Sequence, residues 1–406
     1  KDSMPANRAL FAMYFARGEW ERALAASQVL LQKASREGEP SERSEFQRKR
    51  AIVALRLGQV RTACDSVAAA LDVYPENLPV LELMASLASR RHLPYDFGPL
   101  ARELEKQYRR RDLPHCLARV LCAQAAMLHP GNDIEAVEAL LQEAVRLSPH
   151  DYLPCAALAG YYERLRRFSQ ARATLEQFAA QSIPPSGEAG AGELRARALL
   201  RLADVWSTSL MDSDRAQGIL HGLVHGEAPI PPHLRREARF RLAQELYVQS
   251  RFEQARGEIE KLISDTESAE FGITAPELGS TNTQRSSAAE DLARFHYYLG
   301  RILDALHEDG PAELAYRRTI DLVPTFAPAV VALARRAVKA GERAQAEILL
   351  RDAIAQLGAA GSRHEADANE EAHRLRRAIC RLLAGINPQQ AAEAHRQTIS
   401  LATQQV

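Results

Sequence analysis

"RFSQARATLEQF" occupies residues 167–178 and "RFEQARGEIEKL" residues 251–262, and the two share six identities in register: Arg, Phe, Gln, Ala, Arg and Glu. Each follows a helix-forming stretch that ends in a short polar turn, "LAGYYERLRRF" before the first and "LAQELYVQSRF" before the second. A phrase that returns together with its surroundings marks a repeated structural unit, not a single core. The same layout recurs at 10–31, 51–75, 297–324 and 330–354. Ala125, Leu128, Ile134 and Leu141 are matched 34 residues on by Ala159, Tyr162, Phe168 and Leu175. Ala312, Tyr316 and Thr319 are matched at the same interval by Ala346, Leu350 and Ala353.

The punctuation of each unit has a physical reading. Two antiparallel helices that cross closely need a small residue at the contact, because a larger one forces the axes apart. Ala23, Ala63, Ala171, Ala255, Ala312 and Ala346 stand at that position. Gly18, Gly58 and Gly341 suit the left-handed residue that ends a first helix, and Pro75, Pro149 and Pro324 stop the second. Trp20, Phe168 and Phe252 open the second helix, and Leu299-Gly300 forms a close-packing pair in the first. This set of residues resembles the tetratricopeptide repeat (TPR). The resemblance implies an all-α fold, a right-handed α-solenoid of stacked helix-turn-helix repeats in which each pair is covered by its neighbours. A HEAT-like array has longer units and lacks the Ala/Gly/Pro punctuation.

About nine or ten units cover nearly the whole chain. Those at 4–36, 44–77, 118–185, 236–265 and 293–357 follow the pattern well, and those at 78–112, 197–230 and 372–404 are degenerate. Polar or Gly/Pro-rich interruptions suggest the organisation: an N-terminal TPR-like array over 1–182, a linker over 183–196, and middle units over 197–263. A flexible loop over 264–287 and C-terminal units with end helices over 288–406 complete it. The 264–287 stretch reads as a solvated insertion or as a partner contact.

Charge is balanced, with 52 basic and 52 acidic residues, so nothing draws the whole chain to nucleic acid or anionic lipid. No apolar run approaches the ~20 residues of a membrane span. Cys64, Cys116, Cys122, Cys155 and Cys380 are scattered, which is neither a disulfide framework nor a metal spacing. They read as small buried hydrophobes and favour a reducing, cytoplasmic setting. The start at Lys1 reads as a trimmed N-terminus and leaves a periplasmic or other compartment open.

Catalytic motifs are missing. "HEADANEEAH" (364–373) holds its two His nine residues apart, not four apart on one helical face. Gly187, Gly190 and Gly192 form a linker and not a dinucleotide fingerprint, and neither a nucleophile elbow nor a phosphate loop occurs. The expectation is a chain with no catalytic residues, no metal site and no cofactor.

Function then rests on a surface. The resemblance implies that the first helix of each unit lines a concave groove, through slots three and four residues apart on one face. Near 293 these are Arg294, Tyr297, Arg301 and Asp304; near 330 they are Val331, Arg335 and Lys339; in the last unit Arg376 is nearest; near 236 they are Phe240, Gln244 and Tyr247. A groove of this composition suits an acidic or extended peptide segment of a protein partner, held by charge-assisted hydrogen bonds and an apolar anchor. Exposed arginine also serves solubility alone, so the bland reading stands beside it. Arg8 is followed by Ala12 with no Asn in place, which departs from the carboxylate clamp of chaperone-binding members. Three readings remain: a scaffold or adaptor in a multiprotein complex, the docking region of a larger enzyme, and an RNA-binding helical repeat. Mixed slots such as Ala156, Gly160 and Val331 disfavour the last. Self-association through an apolar end at the last unit stays open.

Overall fold

The computed structural model describes residues 4–37, 39–90, 93–128, 133–181, 190–226, 230–271, 282–324 and 326–360. Within them are eighteen α-helices and no strand. In order they are α1 Met4–Arg17, α2 Trp20–Glu37, α3 Pro40–Arg56, α4 Val60–Val73, α5 Leu78–Ala88, α6 Gly98–Arg111, α7 Pro114–Met127, α8 Ile134–Leu147 and α9 Tyr152–Arg164. There follow α10 Phe168–Ala180, α11 Ala191–Asp204, α12 Ser213–His225, α13 Pro232–Val248, α14 Phe252–Phe271, α15 Asn282–Ala305, α16 Asp309–Leu322, α17 Ala327–Lys339 and α18 Arg343–Ala360. The chain divides into two units, 1–238 and 239–406, with the boundary inside α13. In each, the substantial interfaces join helices adjacent or next but one in the chain. This is the all-α, stacked-hairpin architecture that the repeat implies.

The punctuation acts as the sequence suggests. Ala23, Ala63, Ala171, Ala255, Ala312 and Ala346 are all fully buried, as the close crossing of paired helices requires. Gly18, Gly58 and Gly341 carry positive φ, at 70°, 70° and 85°. Four other hairpins place Arg166, Met211, Ser250 and His307 in the same left-handed region. The turn is a Schellman motif written again and again. Gly58 N–H reaches the Leu55 carbonyl and Gln59 N–H the Ala54 carbonyl. Arg166/Arg167, Ser250/Arg251, His307/Glu308 and Gly341/Glu342 repeat the pattern, which satisfies the last carbonyls of each first helix. In the degenerate 197–230 unit the motif is stretched. A π-helical turn, Val205–Ser209, follows α11, and Asp212 N–H reaches back to Trp206. One extra residue in the helix accounts for the lost match to the pattern.

Successive units are tied at one-repeat intervals. Asn77, which caps α5 by accepting from Val80 N–H, donates to Ser44 Oγ at 2.9 Å, and Tyr108 donates its hydroxyl to the Pro75 carbonyl. The degenerate 78–112 unit is well buried through Leu81, Met84, Leu87, Phe97, Leu104 and Tyr108. Four of the cysteines, Cys64, Cys116, Cys122 and Cys155, are buried and unbonded. Burial pushes the Cys122 and Cys155 thiols up to about 12, so they pack as inert hydrophobes.

Two expected boundaries are corrected. The loop expected over 264–287 is shorter: α14 runs on to Phe271 and α15 begins at Asn282. Leu262, Ile263 and Thr266 continue a buried stripe there, with Thr266 Oγ1 donating to the Leu262 carbonyl. A helix with one narrow buried stripe reads as polar sequence, and polar sequence suggests a loop. The linker expected over 183–196 likewise gives way to α11 at Ala191. The expected unit at 372–404, with "HEADANEEAH", Arg376 and Cys380, lies outside the described residues.

Candidate functional site

The first helices of the 239–406 unit place equivalent residues by the geometry of their turns. Gln244, Arg301 and Arg335 each stand six residues before the left-handed residue that ends the helix (Ser250, His307 and Gly341). They therefore occupy one slot on α13, α15 and α17.

Arg301 is held between two aromatic faces, its guanidinium carbon 4.8 Å from the Tyr247 ring centroid and 5.4 Å from that of Tyr298. Such contacts fix a long side chain without neutralising it. Among the described residues no carboxylate pairs with Arg301, Arg335 or Lys339 within ion-pair distance. Arg335 and Lys339 lie exposed one turn apart on α17. Tyr297 feels the charges of Arg301 and Arg335. Its ring packs on Tyr298, Tyr316 and Phe326 at 5.8, 5.9 and 5.3 Å. Burial raises its hydroxyl above the usual tyrosine value, while Arg301 and Arg335 both pull it down. The hydroxyl thus stays a neutral donor amid positive charge.

In the 1–238 unit Arg56 on α3 stacks on Trp20 at 6.0 Å, but other first-helix arginines, at other positions along their helices, meet carboxylates. Arg48 on α3 makes a fork of two 2.7 Å bonds to Glu45. Arg119 on α7 meets Glu82 at 3.2 Å and Asp151 at 3.1 Å. Arg201 on α11 meets Glu163 at 3.0 and 3.2 Å and the Ala156 carbonyl at 2.9 Å, lying over Gly160. Arg8 pairs with Glu42 at 2.5 Å. These cations are spent within the fold.

Several expected groove residues turn out to be structural. Phe240 is buried, packed on Phe295 and Tyr298 at 5.3 and 4.9 Å; its slot on α13 faces α15, so it offers no exposed anchor. Arg294 stacks on Phe240 at 4.8 Å and pairs with Asp291 at 3.2 Å. Asp304 accepts from the Tyr316 hydroxyl at 2.7 Å and from Arg336, which also grips Asp309 at 2.8 Å, so this carboxylate ties hairpin to hairpin. Gln244, Tyr247, Tyr297 and Arg301 are half-buried, and Arg376 is outside the described residues. The sequence reading missed Tyr298 and Arg336, each next to a residue it chose. A face of a 3.6-residue helix includes adjacent pairs, which a strict step of three or four leaves out.

The fold is that of a TPR-like helical repeat, and on its first helices the half-buried Arg301 and its tyrosines and the exposed Arg335 and Lys339 fall in the slots that the sequence singled out. Among the described residues no helix is long and apolar enough to cross a membrane, and no group of three or more His, Cys, Asp or Glu is placed to hold a metal ion.

The chain is similar to a tetratricopeptide repeat protein from Parabacteroides merdae (TM-score 0.39, 13% identity, 80% of this chain and 94% of that one). It is similar too to the C-terminal part of a TPR repeat-containing protein from Cytophaga hutchinsonii (TM-score 0.36, 12% identity, 81% and 98%). A third likeness is to a monomeric IFIT1 mutant with m7Gppp-AAAA (TM-score 0.40, 12% identity, 88% and 78%). No protein-family model and no curated protein matches the sequence.

Proposed function

We propose that this chain is a non-catalytic interaction scaffold, which binds an acidic, extended segment of a partner protein along Gln244, Arg301 and Arg335, with Lys339 at the far end. The observation that carries the reading is a contrast. Arg48, Arg119 and Arg201 meet carboxylates of their own chain, whereas Arg301 lies on the Tyr247 and Tyr298 rings and Arg335 is exposed, acting on Tyr297 through its charge. Guanidinium forks bind carboxylates through paired hydrogen bonds, and Arg301 is pre-positioned by its two rings, so little ordering entropy remains to be lost. Tyr247 and Tyr298 offer the apolar edges that Phe240, being buried, does not.

The test is fluorescence polarisation of the intact chain with a labelled Asp/Glu-rich peptide, a Lys-rich peptide and a single-stranded RNA of matched length. Saturable binding of the acidic peptide, lost in the R301E/R335E double variant, supports the reading. Equal binding by the variant overturns it. Tight RNA binding that R301E/R335E abolishes moves the assignment to the nucleic-acid reading.

A further inference from the structure

The helix α12 presents "HGLVH" (221–225) in its last two turns. Its buried stripe is Ala216, Leu220, Leu223 and Val224. That leaves His221 and His225 exposed, one turn apart on one face. Their rings lie with centroids 4.5 Å apart and planes tilted by 46°.

We propose that His221 and His225 form a two-imidazole chelate for a late first-row transition-metal dication, with water completing the coordination. Three arguments converge on it. Neutral imidazole is the side chain that suits Cu²⁺, Ni²⁺ and Zn²⁺, with copper the tightest by the general affinity order. A centroid separation of 4.5 Å leaves two imidazoles close enough, once their rings turn, to share one ion at the ordinary metal–imidazole length of ~2.0–2.1 Å. His225 is also the last residue of α12, where free carbonyls give the helix end a partial negative charge that favours a dication. Nothing in the sequence reading singled this pair out. The spacing that a metal site needs is also the spacing of any two residues on one face of a helix. The contact between the rings is what distinguishes it.

Occupancy would staple the last turn of α12, and binding to the folded chain alone stabilises it by mass action. The experiment titrates the intact chain with Ni²⁺ and separately Cu²⁺, by isothermal calorimetry and by electron paramagnetic resonance for copper. Expected is a site whose affinity falls by roughly tenfold or more in His221→Ala, because one imidazole cannot chelate. It should be unchanged in His150→Ala, an exposed histidine on another segment. A copper spectrum showing two equivalent nitrogens should lose one in His221→Ala. Both histidines are exposed, so neither variant disturbs the core. Undiminished affinity in His221→Ala, or a wild-type spectrum with a single nitrogen, overturns the proposal.

Discussion

Gly300 shows how a single residue fixes the distance between helices. It is buried on α15, and a Cβ built on it would meet the Tyr316 ring at 2.6–2.9 Å. Tyr316 cannot step aside, since its hydroxyl is tied to Asp304 and its ring packs on Tyr297. Gly300→Ala is therefore an overpacking substitution, with an expected loss of about 1–3 kcal/mol in denaturant unfolding. A neutral result would mean that the α15–α16 contact is looser than the packing indicates. His296, four residues earlier, carries a pH response. Its Nε2 is buried without a hydrogen-bond partner, 4.0 Å from Glu267. Burial lowers its pKa below the ordinary 6.5; Glu267 raises it and Arg318 lowers it further, and the net direction is down. Between the folded value and about 6.5 only the unfolded chain holds the extra proton. Stability is thus full above about pH 6.5, falls as pH drops toward the folded value, and levels off below it. Unfolding at pH 7.5 and at lower pH should show this loss in the wild type and a smaller one in His296→Gln. Equal losses would assign the acid sensitivity elsewhere.

At the scale of the helical hairpin, one turn motif is met with different residues. Three hairpins use glycine at the left-handed position, while Arg166, Ser250 and His307 hold φ of 57°, 60° and 62° with a Cβ attached. The backbone is the same and the cost is not: an L-residue in this region is strained, though glycine loses more freedom on folding. Ser250→Gly and His307→Gly should each stabilise the chain by about 0.5–1 kcal/mol, and Gly58→Ala should destabilise it by a similar amount. Midpoints of thermal unfolding would decide this, and a destabilising Ser250→Gly would refute the strain argument. The same substitution pattern explains what the sequence made legible. The crossing alanines and closing prolines were readable because sterics admits few other residues there. Turns with Arg, Ser or His were readable only through their flanks. The extent of α14 was hidden, because beyond Leu262 its buried stripe narrows to Ile263 and Thr266. Of the groove, the slots were legible because helix period fixes them. Their use was not: whether an arginine meets a carboxylate, as Arg201 does at Glu163, or a ring, as Arg301 does at Tyr247, depends on residues a repeat or more away in sequence.

Over the whole molecule, cohesion runs from neighbour to neighbour. Within each unit the substantial interfaces span no more than two steps along the helix order, and the ties between repeats, such as Ser44–Asn77 and His115–Ser148, cross about one repeat. A chain built this way does not share a local defect among all its parts, as a domain with one central core does. Leu175 on α10 is fully buried, and Leu175→Ala should leave a cavity costing about 2–5 kcal/mol. The loss should appear in hydrogen exchange as faster opening of α9, α10 and α11, which adjoin it. Protection in α3 and α4 should persist, because no substantial interface links them directly to α10. The mirror experiment uses Leu350→Ala on α18, also fully buried. Faster exchange should then centre on α17 and α18, with Arg335 on the affected hairpin and Arg301 one hairpin away. If the acidic peptide spans both arginines, Leu350→Ala weakens its binding while Leu175→Ala leaves it intact. Uniform acceleration across every helix in either variant would show that the units unfold as one, and the nearest-neighbour account of this array would fail.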